Sequence, residues 1–125
     1  MKKVILASVL GVVAVASVGS ANAASTAQIF CSGSPTSVGT ASITSATEFV
    51  KVAFTPKCSS NTHVTGSDST TYYRVGSAST KGKTSFAGSS MGGGVVAAGL
   101  CAATGNVCAV SDATTAMTST YAATS

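Results

Sequence analysis

Four cysteines are the residues whose type and spacing carry the clearest chemistry in this chain. They are Cys31, Cys58, Cys101 and Cys108. An even number of cysteines in a short chain that leaves the cytoplasm predicts two disulfides. Three pairings are open to four cysteines, and we favour Cys31–Cys58 with Cys101–Cys108 because each closes a local loop. Zinc is the rival interpretation, but the sequence holds no C-x-x-C pair and a single histidine that lies in no ligand repeat.

The N terminus predicts that the chain is exported. Met1-Lys2-Lys3 is a short basic start, Val4–Val18 is an almost unbroken apolar run, and Ala21-Asn22-Ala23 places small residues where a signal peptidase reads. We therefore predict a cleaved helical signal peptide over 1–23 and a single small secreted domain over 24–125. The apolar run is shorter than the roughly 20 residues of a spanning helix, so we expect no integral membrane segment after cleavage.

Groups suited to catalysis are few. A serine hydrolase needs a nucleophile, a base and an orienting acid, and His63, Asp68 and Asp112 are the only histidine and aspartates. No G-x-S-x-G elbow occurs. A glycosidase needs two suitably spaced carboxylates, and Glu48, the one further acid, is more simply explained as a solubilising residue. We predict no enzymatic activity, no cofactor and no metal site.

The stretch Gly76–Thr84 resembles a phosphate-binding loop in composition only. Five residues separate Gly76 from Gly82, where the motif requires four. The residues after Thr84 do not begin a convincing helix, so the dipole and amide cradle that bind phosphate are missing. We interpret Lys81-Gly82-Lys83 as a solvated turn.

The charge balance argues against a nucleic-acid partner. Loss of Lys2 and Lys3 with the signal peptide reduces the seven basic residues to five, which against three acids leaves a net charge of +2. Nucleic-acid binding requires clustered basic residues on a clearly basic domain. A contact patch for another protein is instead predicted at Tyr72, Tyr73 and Arg74, because aromatic and arginine side chains are the usual interface anchors.

Alternation of apolar and polar residues predicts strands. The clearest is Glu48–Thr55, with Val50, Val52 and Phe54 on one face. Weaker patterns predict strands over Ala24–Phe30, Thr70–Val75 and Lys83–Ala87, a loop over Ser59–Ser69, a turn over Gly76–Gly82, and a hairpin within Val95–Val110 that turns at Thr104-Gly105-Asn106. Residues 111–125 stay open between a frayed strand, a helix and a loose tail.

Short strands separated by Gly, Ser and Pro turns predict an all-β fold. We expect a small disulfide-stapled sandwich or barrel, of which an immunoglobulin-like sandwich is one form. Large aromatic residues are few, so the core is thin and cross-links or assembly gain importance. If Glu48–Thr55 is a central strand, Phe54→Ala should cost about 3–5 kcal/mol.

The spacing of the first two cysteines behind a signal peptide resembles a known family. Cys31, followed by Cys58 about one strand pair later, is similar to the first half of the fimbrial subunits of Gram-negative bacteria. In that family a neighbour's N-terminal strand completes an open immunoglobulin-like sandwich. The resemblance covers residues 24–60, implies assembly at the cell surface and assigns no functional residue.

Composition favours the same class of protein. Charged residues make up only 8% of the chain, and low charge suits close packing between subunits because few charges need desolvation. We predict an exported, non-enzymatic structural or surface-assembly protein, a fibre, pilus or matrix subunit that binds itself or another surface protein. It would work in the periplasm, at the cell surface or outside the cell. The alternative is a monomeric secreted or periplasmic binding module that uses Tyr72, Tyr73 and Arg74.

Overall fold

The computed structural model describes residues 27–34, 39, 42, 47–102, 105 and 107–119. The predicted signal peptide and its cleavage site lie outside the described residues. No helix among the residues described is long and apolar enough to cross a membrane.

Five strands and one helix follow one another along the chain. They are β1 (Ala27–Ser32), β2 (Thr62–Ser69), β3 (Tyr72–Ser79), β4 (Thr84–Ser89), β5 (Val96–Leu100) and α1 (Val110–Thr118). The strands form one antiparallel sheet in the order β1-β2-β3-β4-β5, so each strand pairs with its neighbour in sequence. β1 and β5 are the edges of this sheet.

Short turns set the register of the central strands. Thr70 and Thr71 join β2 to β3, whose end residues Ser69 and Tyr72 are directly paired. The β3–β4 turn is closed by a hydrogen bond of 2.9 Å from the Gly82 N–H to the Ser79 carbonyl. These connections are short enough to favour an antiparallel meander over a crossover topology.

Helix α1 covers one face of the sheet, which we call the helix face. The side chains of its inner surface are buried and small except for Met117: Ala113, Ala116 and Met117. They lie over Gly76, Ala78 and Ala87 of the central strands, where a Cβ added to Gly76 would be 2.7 Å from the Met117 nitrogen. The glycine therefore permits the helix to approach the sheet backbone.

Segment 54–58 lies against the opposite face of the sheet at its β1–β2 end. Phe54 stacks on Phe30 with ring centroids 5.7 Å apart, and Phe30 in turn contacts Tyr73 at 6.5 Å. The disulfide from Cys58 to Cys31 of β1 fixes the end of this segment. The opposite face therefore has a second, smaller cluster built around aromatic rings.

Both predicted disulfides are confirmed. Cys31–Cys58 joins Cα atoms 5.6 Å apart, and Cys101–Cys108 joins Cα atoms 5.1 Å apart. No free cysteine remains among the residues described.

The predicted central strand over Glu48–Thr55 is wrong. These residues are irregular, with Val52 78% and Phe54 45% exposed, and no described part of the segment joins the sheet. The Asp68 carboxylate accepts hydrogen bonds from the Phe49 and Val50 N–H groups at 2.8 and 2.9 Å and bends the chain there. The large cost predicted for Phe54→Ala falls accordingly, because nearly half of that side chain is already in water.

Three further local predictions need correction. Ser59–Ser69 contains β2, a central strand, where a loop was expected, and Gly76–Ser79 continues β3 where a turn was expected. The hairpin expected within Val95–Val110 has one strand, β5, among the residues described, and residues 107–109 are irregular. Of the three alternatives for the C-terminal tail, a helix forms over Val110–Thr118.

The strand-rich, disulfide-linked class expected from sequence is confirmed, whereas a sandwich or barrel is not. Within the described residues one open sheet packs against a helix, and that helix occupies the place of a second sheet. The polar side chains buried on the helix face are small or cyclic, as in Thr65, Ser85 and His63. Such a core contains little apolar volume and depends on close backbone approach.

Candidate functional site

The predicted contact patch is divided between the two faces of the sheet. Tyr72, Tyr73 and Arg74 are consecutive in β3, and successive strand residues point to opposite faces. Arg74 lies in register with Ser67 and, like Gly76, belongs to the helix face, whereas Tyr73 contacts Phe30 on the other side. The three residues therefore do not form one surface, and their role in binding stays a prediction.

Tyr72 and Arg74 form a stacked pair. The Arg74 guanidinium carbon lies 4.8 Å from the centre of the Tyr72 ring, within the range of a cation–π contact. Both side chains are partly buried. The pair offers a flat, positively charged surface for a partner, but its geometry is equally that of a pair that stabilises its own strand.

Tyr73 has a structural environment. Its hydroxyl would lie 2.5 Å from a Cβ added at Gly66, so the ring crosses the strand directly over that glycine. Burial, together with the negative charges of Asp68 and Glu48, raises the pKa of Tyr73 to about 12. The Tyr73 hydroxyl therefore stays neutral at physiological pH, and its ring packs against Phe30 in the aromatic cluster.

Of the residues considered for catalysis, His63 lies near Asp112, but the carboxylate of Asp112 is already bound to the main chain. His63 is buried in β2, and Asp112 is buried at the start of α1. Both Asp112 carboxylate oxygens accept backbone hydrogen bonds, from Ala102 at 2.9 Å and from Ala109 at 2.7 Å. These two hydrogen bonds lower the pKa of Asp112, and nearby His63 adds to the effect. Asp112 thus caps the helix and joins both sides of the Cys101–Cys108 loop.

Other potential sites also lack the chemistry of a ligand centre. Asp68 uses both carboxylate oxygens on main-chain N–H groups. No group of three or more metal-ligating side chains occurs in the part of the chain that the structure describes. A crevice of about 150 Å³ between β5 and α1 is lined mainly by small residues and shares the already bonded Asp112. It is smaller than the roughly 300 Å³ at which typical small-molecule sites begin.

An exposed apolar surface lies on the face opposite α1, over strands β3 to β5. Val75 is aligned with Gly66 and Gly88, and a Cβ at Gly88 would meet Val95 at 3.5 Å. Phe86 and Leu100 follow on the same face by strand alternation. We call this surface the open face; its large side chains are Val75, Phe86, Val95 and Leu100, all exposed.

The edge strand β5 continues the open face. From Thr84 to Ser111 the sequence contains 28 consecutive residues without a charge. The Cys101 N–H donates to the Lys83 carbonyl at 2.8 Å, and hydrogen-bonded and non-hydrogen-bonded pairs alternate in an antiparallel ladder. Leu100, aligned with Thr84, therefore directs its N–H and carbonyl away from β4, on the side where no described strand pairs with β5.

Sequence reasoning missed both the open face and the free edge. The signal that indicates them is the uncharged stretch 84–111, which is visible in the sequence. Its significance depends on topology, because only the strand order shows that β5 is an edge and that α1 covers the other face.

Comparison of the chain with known protein families, curated proteins and solved structures finds no match. The geometry of the chain itself is therefore the basis for a functional assignment.

Proposed function

We propose that this protein is an exported, non-enzymatic structural subunit that associates with copies of itself at its β5 edge. The two disulfides support an oxidising compartment outside the cytoplasm, where such bonds persist. The observation that carries the proposal is that β5 ends the sheet among the residues described, with side chains that are small or apolar and uncharged.

Natural sheet proteins protect their edge strands against pairing with other chains. Lysine, proline, bulges and covering segments are the usual means. β5 has one irregularity opposite Ser85 and Phe86, but it contains neither a charge nor a proline, and Leu100 is 83% exposed. At the other edge, β1 is tied to segment 54–58 by a disulfide. β1 likewise contains neither a charge nor a proline, so the disulfide is what distinguishes the two edges, and β5 is the edge that we assign to pairing with another strand.

Main-chain pairing explains how a chain with so few binding residues would assemble. A strand added to a free edge binds through backbone N–H and carbonyl groups, which every sequence has. The outward N–H and carbonyl of Leu100 supply one such donor and acceptor. Because no charge lies between residues 84 and 111, a neighbouring copy would meet no like charge along this edge.

Proline and alanine at Leu100 test the role of the edge. We expect the mature, disulfide-bonded wild type to associate with rising concentration in sedimentation velocity and to form ordered assemblies by negative-stain microscopy. Leu100→Pro should abolish growth because it removes the outward N–H, whereas Leu100→Ala keeps that N–H and should retain growth. Leu100→Lys provides a second edge-blocking variant if the proline variant lacks a wild-type thermal transition.

A wild type that remains a monodisperse monomer at millimolar concentration would overturn the proposal. That result would favour the alternative, a monomeric secreted or periplasmic binding module, for which the stacked Tyr72–Arg74 pair is the supporting observation. Loss of binding to a surface partner in Arg74→Gln, with unfolding unchanged, would support that alternative directly.

A further inference from the structure

The open face has the composition of a covered sheet surface. In an antiparallel sheet with one solvated face, the residues of that face are normally polar. Here Val75, Phe86, Val95 and Leu100 lie over three adjacent strands, with exposed fractions that range from 36% for Val75 to 83% for Leu100. Their exposed surface is on the order of 400 Å², within the range of the largest apolar patch on a typical monomer, a patch that is often functional.

Neither covering element of the chain reaches this surface. α1 packs on the other side of the sheet, against Gly76, Ala78 and Ala87. Segment 54–58 covers the end near β1, where Phe54 meets Phe30. Among the residues described, the part of this face over β3 to β5 remains without a partner.

The absence of charge favours a second copy of the chain as the occupant. A two-fold axis places identical surfaces together, so a charged residue near the axis would face its own like charge. The strand segments that form this surface, from Val75 to Ser79 and from Thr84 to Leu100, contain no charged residue. A partner selected by opposite charge would find nothing here to recognise.

Large and small residues also alternate on the open face. Phe86 is aligned with Ser77 on β3 and with Ala97 on β5, while Gly88 lies beside Val95. Side chains of two packed sheets interdigitate across about 10 Å, and projecting rings beside small positions provide the necessary hollows. A standard interface buries about 800 Å² on each partner, so the apolar side chains would supply roughly half of it.

We propose that two copies pack open face against open face across a two-fold axis, so that the dimer is a helix–sheet–sheet–helix sandwich. This inference rests on the self-association proposed above, but it uses the face of the sheet and not its edge; Leu100 contributes to both, its main chain to the edge and its side chain to the open face. Pairing at the β5 edge extends the sheet, whereas pairing at the open face doubles it. Each subunit alone would lack the second sheet of a sandwich, and the dimer would supply it.

Two phenylalanines of equal exposure give a matched test. Phe86 is 42% exposed on the open face, and Phe49 is 44% exposed outside it. We expect Phe86→Lys to weaken dimerisation at least about 30-fold, as for a central interface residue, in sedimentation equilibrium. Phe49→Lys should leave the dimer constant within about threefold. Both variants are compared with the Leu100→Pro parent, which lacks edge pairing and which has lost the same open-face side chain as the two variants.

Cross-linking tests whether the two open faces meet in the dimer, and its result does not depend on the stability of a variant. Ser77 lies on the open face beside Phe86, and Ser111 is exposed on α1. With both native disulfides verified by peptide mapping, a bismaleimide that spans about 10 Å, the spacing of packed sheets, should join two Ser77→Cys chains and leave Ser111→Cys monomeric. Equal cross-linking of both variants would overturn the two-fold arrangement.

The outcomes separate this inference from the proposed function. If Leu100→Pro abolishes growth but Phe86→Lys behaves like Phe49→Lys, the sandwich dimer is wrong and the edge-assembling subunit stands. If Phe86→Lys dissociates the dimer and Leu100→Pro does not stop growth, the face is the main interface and the edge assignment fails. A wild-type monomer at all concentrations refutes both.

Discussion

Gly76 is where a single methyl group should have the largest effect on this fold. The Cβ of Gly76→Ala would lie in contact with the Ala113 carbonyl oxygen, 2.7 Å from the Met117 nitrogen and 2.9 Å from the Met117 Cβ. These are main-chain and Cβ atoms of α1, so no side-chain rotation relieves the contact. The helix must either move away from the sheet or leave it.

The expected magnitude follows from these two responses. Inserting a methyl group into a packed core costs about 1–3 kcal/mol where the backbone can shift. If α1 leaves the sheet instead, the loss includes the burial of Met117, about 1.5–3 kcal/mol, together with the methyl groups of two buried alanines. We therefore expect Gly76→Ala to destabilise the domain by about 2–4 kcal/mol and to lower Tm by at least about 10 °C.

Denaturant unfolding of the disulfide-bonded monomer measures this effect. Gly94→Ala is the matched control, because a Cβ there has no neighbour within 4 Å; we expect it to be neutral or slightly stabilising. Partial detachment of α1 would also reduce the m-value, since less surface would remain to be exposed. If Gly76→Ala unfolds within about 0.5 kcal/mol of Gly94→Ala, then α1 does not need close contact with β3, and our account of the helix face is wrong.

Two further predictions concern the cross-links and the helix cap. Replacing Cys31 and Cys58 with alanine should destabilise the domain by about 3.5 kcal/mol, and replacing Cys101 and Cys108 by about 2.5 kcal/mol, because the loops span 27 and 7 residues; a reversed order in denaturant unfolding would contradict the loop-entropy reasoning. Because folding lowers the pKa of Asp112, its stabilisation is complete above the ordinary pKa of 3.8 and is lost as pH falls through the folded-state value. Asp112→Asn should therefore cost about 1–3 kcal/mol at pH 7 and flatten the acid limb of a stability–pH curve, and an unchanged acid limb would show that other groups control it.

The disulfides and several strands were predictable because their signals are local. Cys101 and Cys108 are only seven residues apart, so pairing them costs little chain entropy. β4 and the first half of β3, up to Val75, combine β-branched or aromatic residues with neighbouring turn residues. In each case the residues that define the element are close in sequence.

The segment 48–55 shows why an alternating pattern alone is insufficient. Val50, Val52 and Phe54 have strand periodicity, but the pattern carries no information about a pairing partner. Asp68, far along the chain, binds the Phe49 and Val50 N–H groups that a ladder would need. Conversely, β2 is rich in Ser, Thr and Gly and has only a weak sequence signal for a strand. It forms a strand because β1 and β3 pair with it on either side.

Helix α1 has a weak sequence signal for a related reason. The buried apolar residues of α1 are Ala113, Ala116 and Met117, and two of these three are alanines. The threonines Thr114 and Thr118 satisfy their hydroxyls on carbonyls one turn earlier, at 3.1 and 3.2 Å. A polar, alanine-rich segment therefore becomes a helix because Gly76 and its neighbours present a flat surface on which it can lie.

The small number of large side chains buried in the core connects the fold to the proposed assembly. On the helix face, Gly76, Ala78 and Ala87 admit a helix backbone but bury little apolar area for each contact. The bulky residues Phe86 and Leu100 lie on the opposite face, where 42% and 83% of their surfaces remain exposed. Burying such residues against a second copy is worth about 25 cal/mol for each Å² removed from water. Assembly would thus add the apolar burial that the subunit's own core lacks, and mutations at Phe86 should affect the stability of the assembled protein far more than that of the monomer.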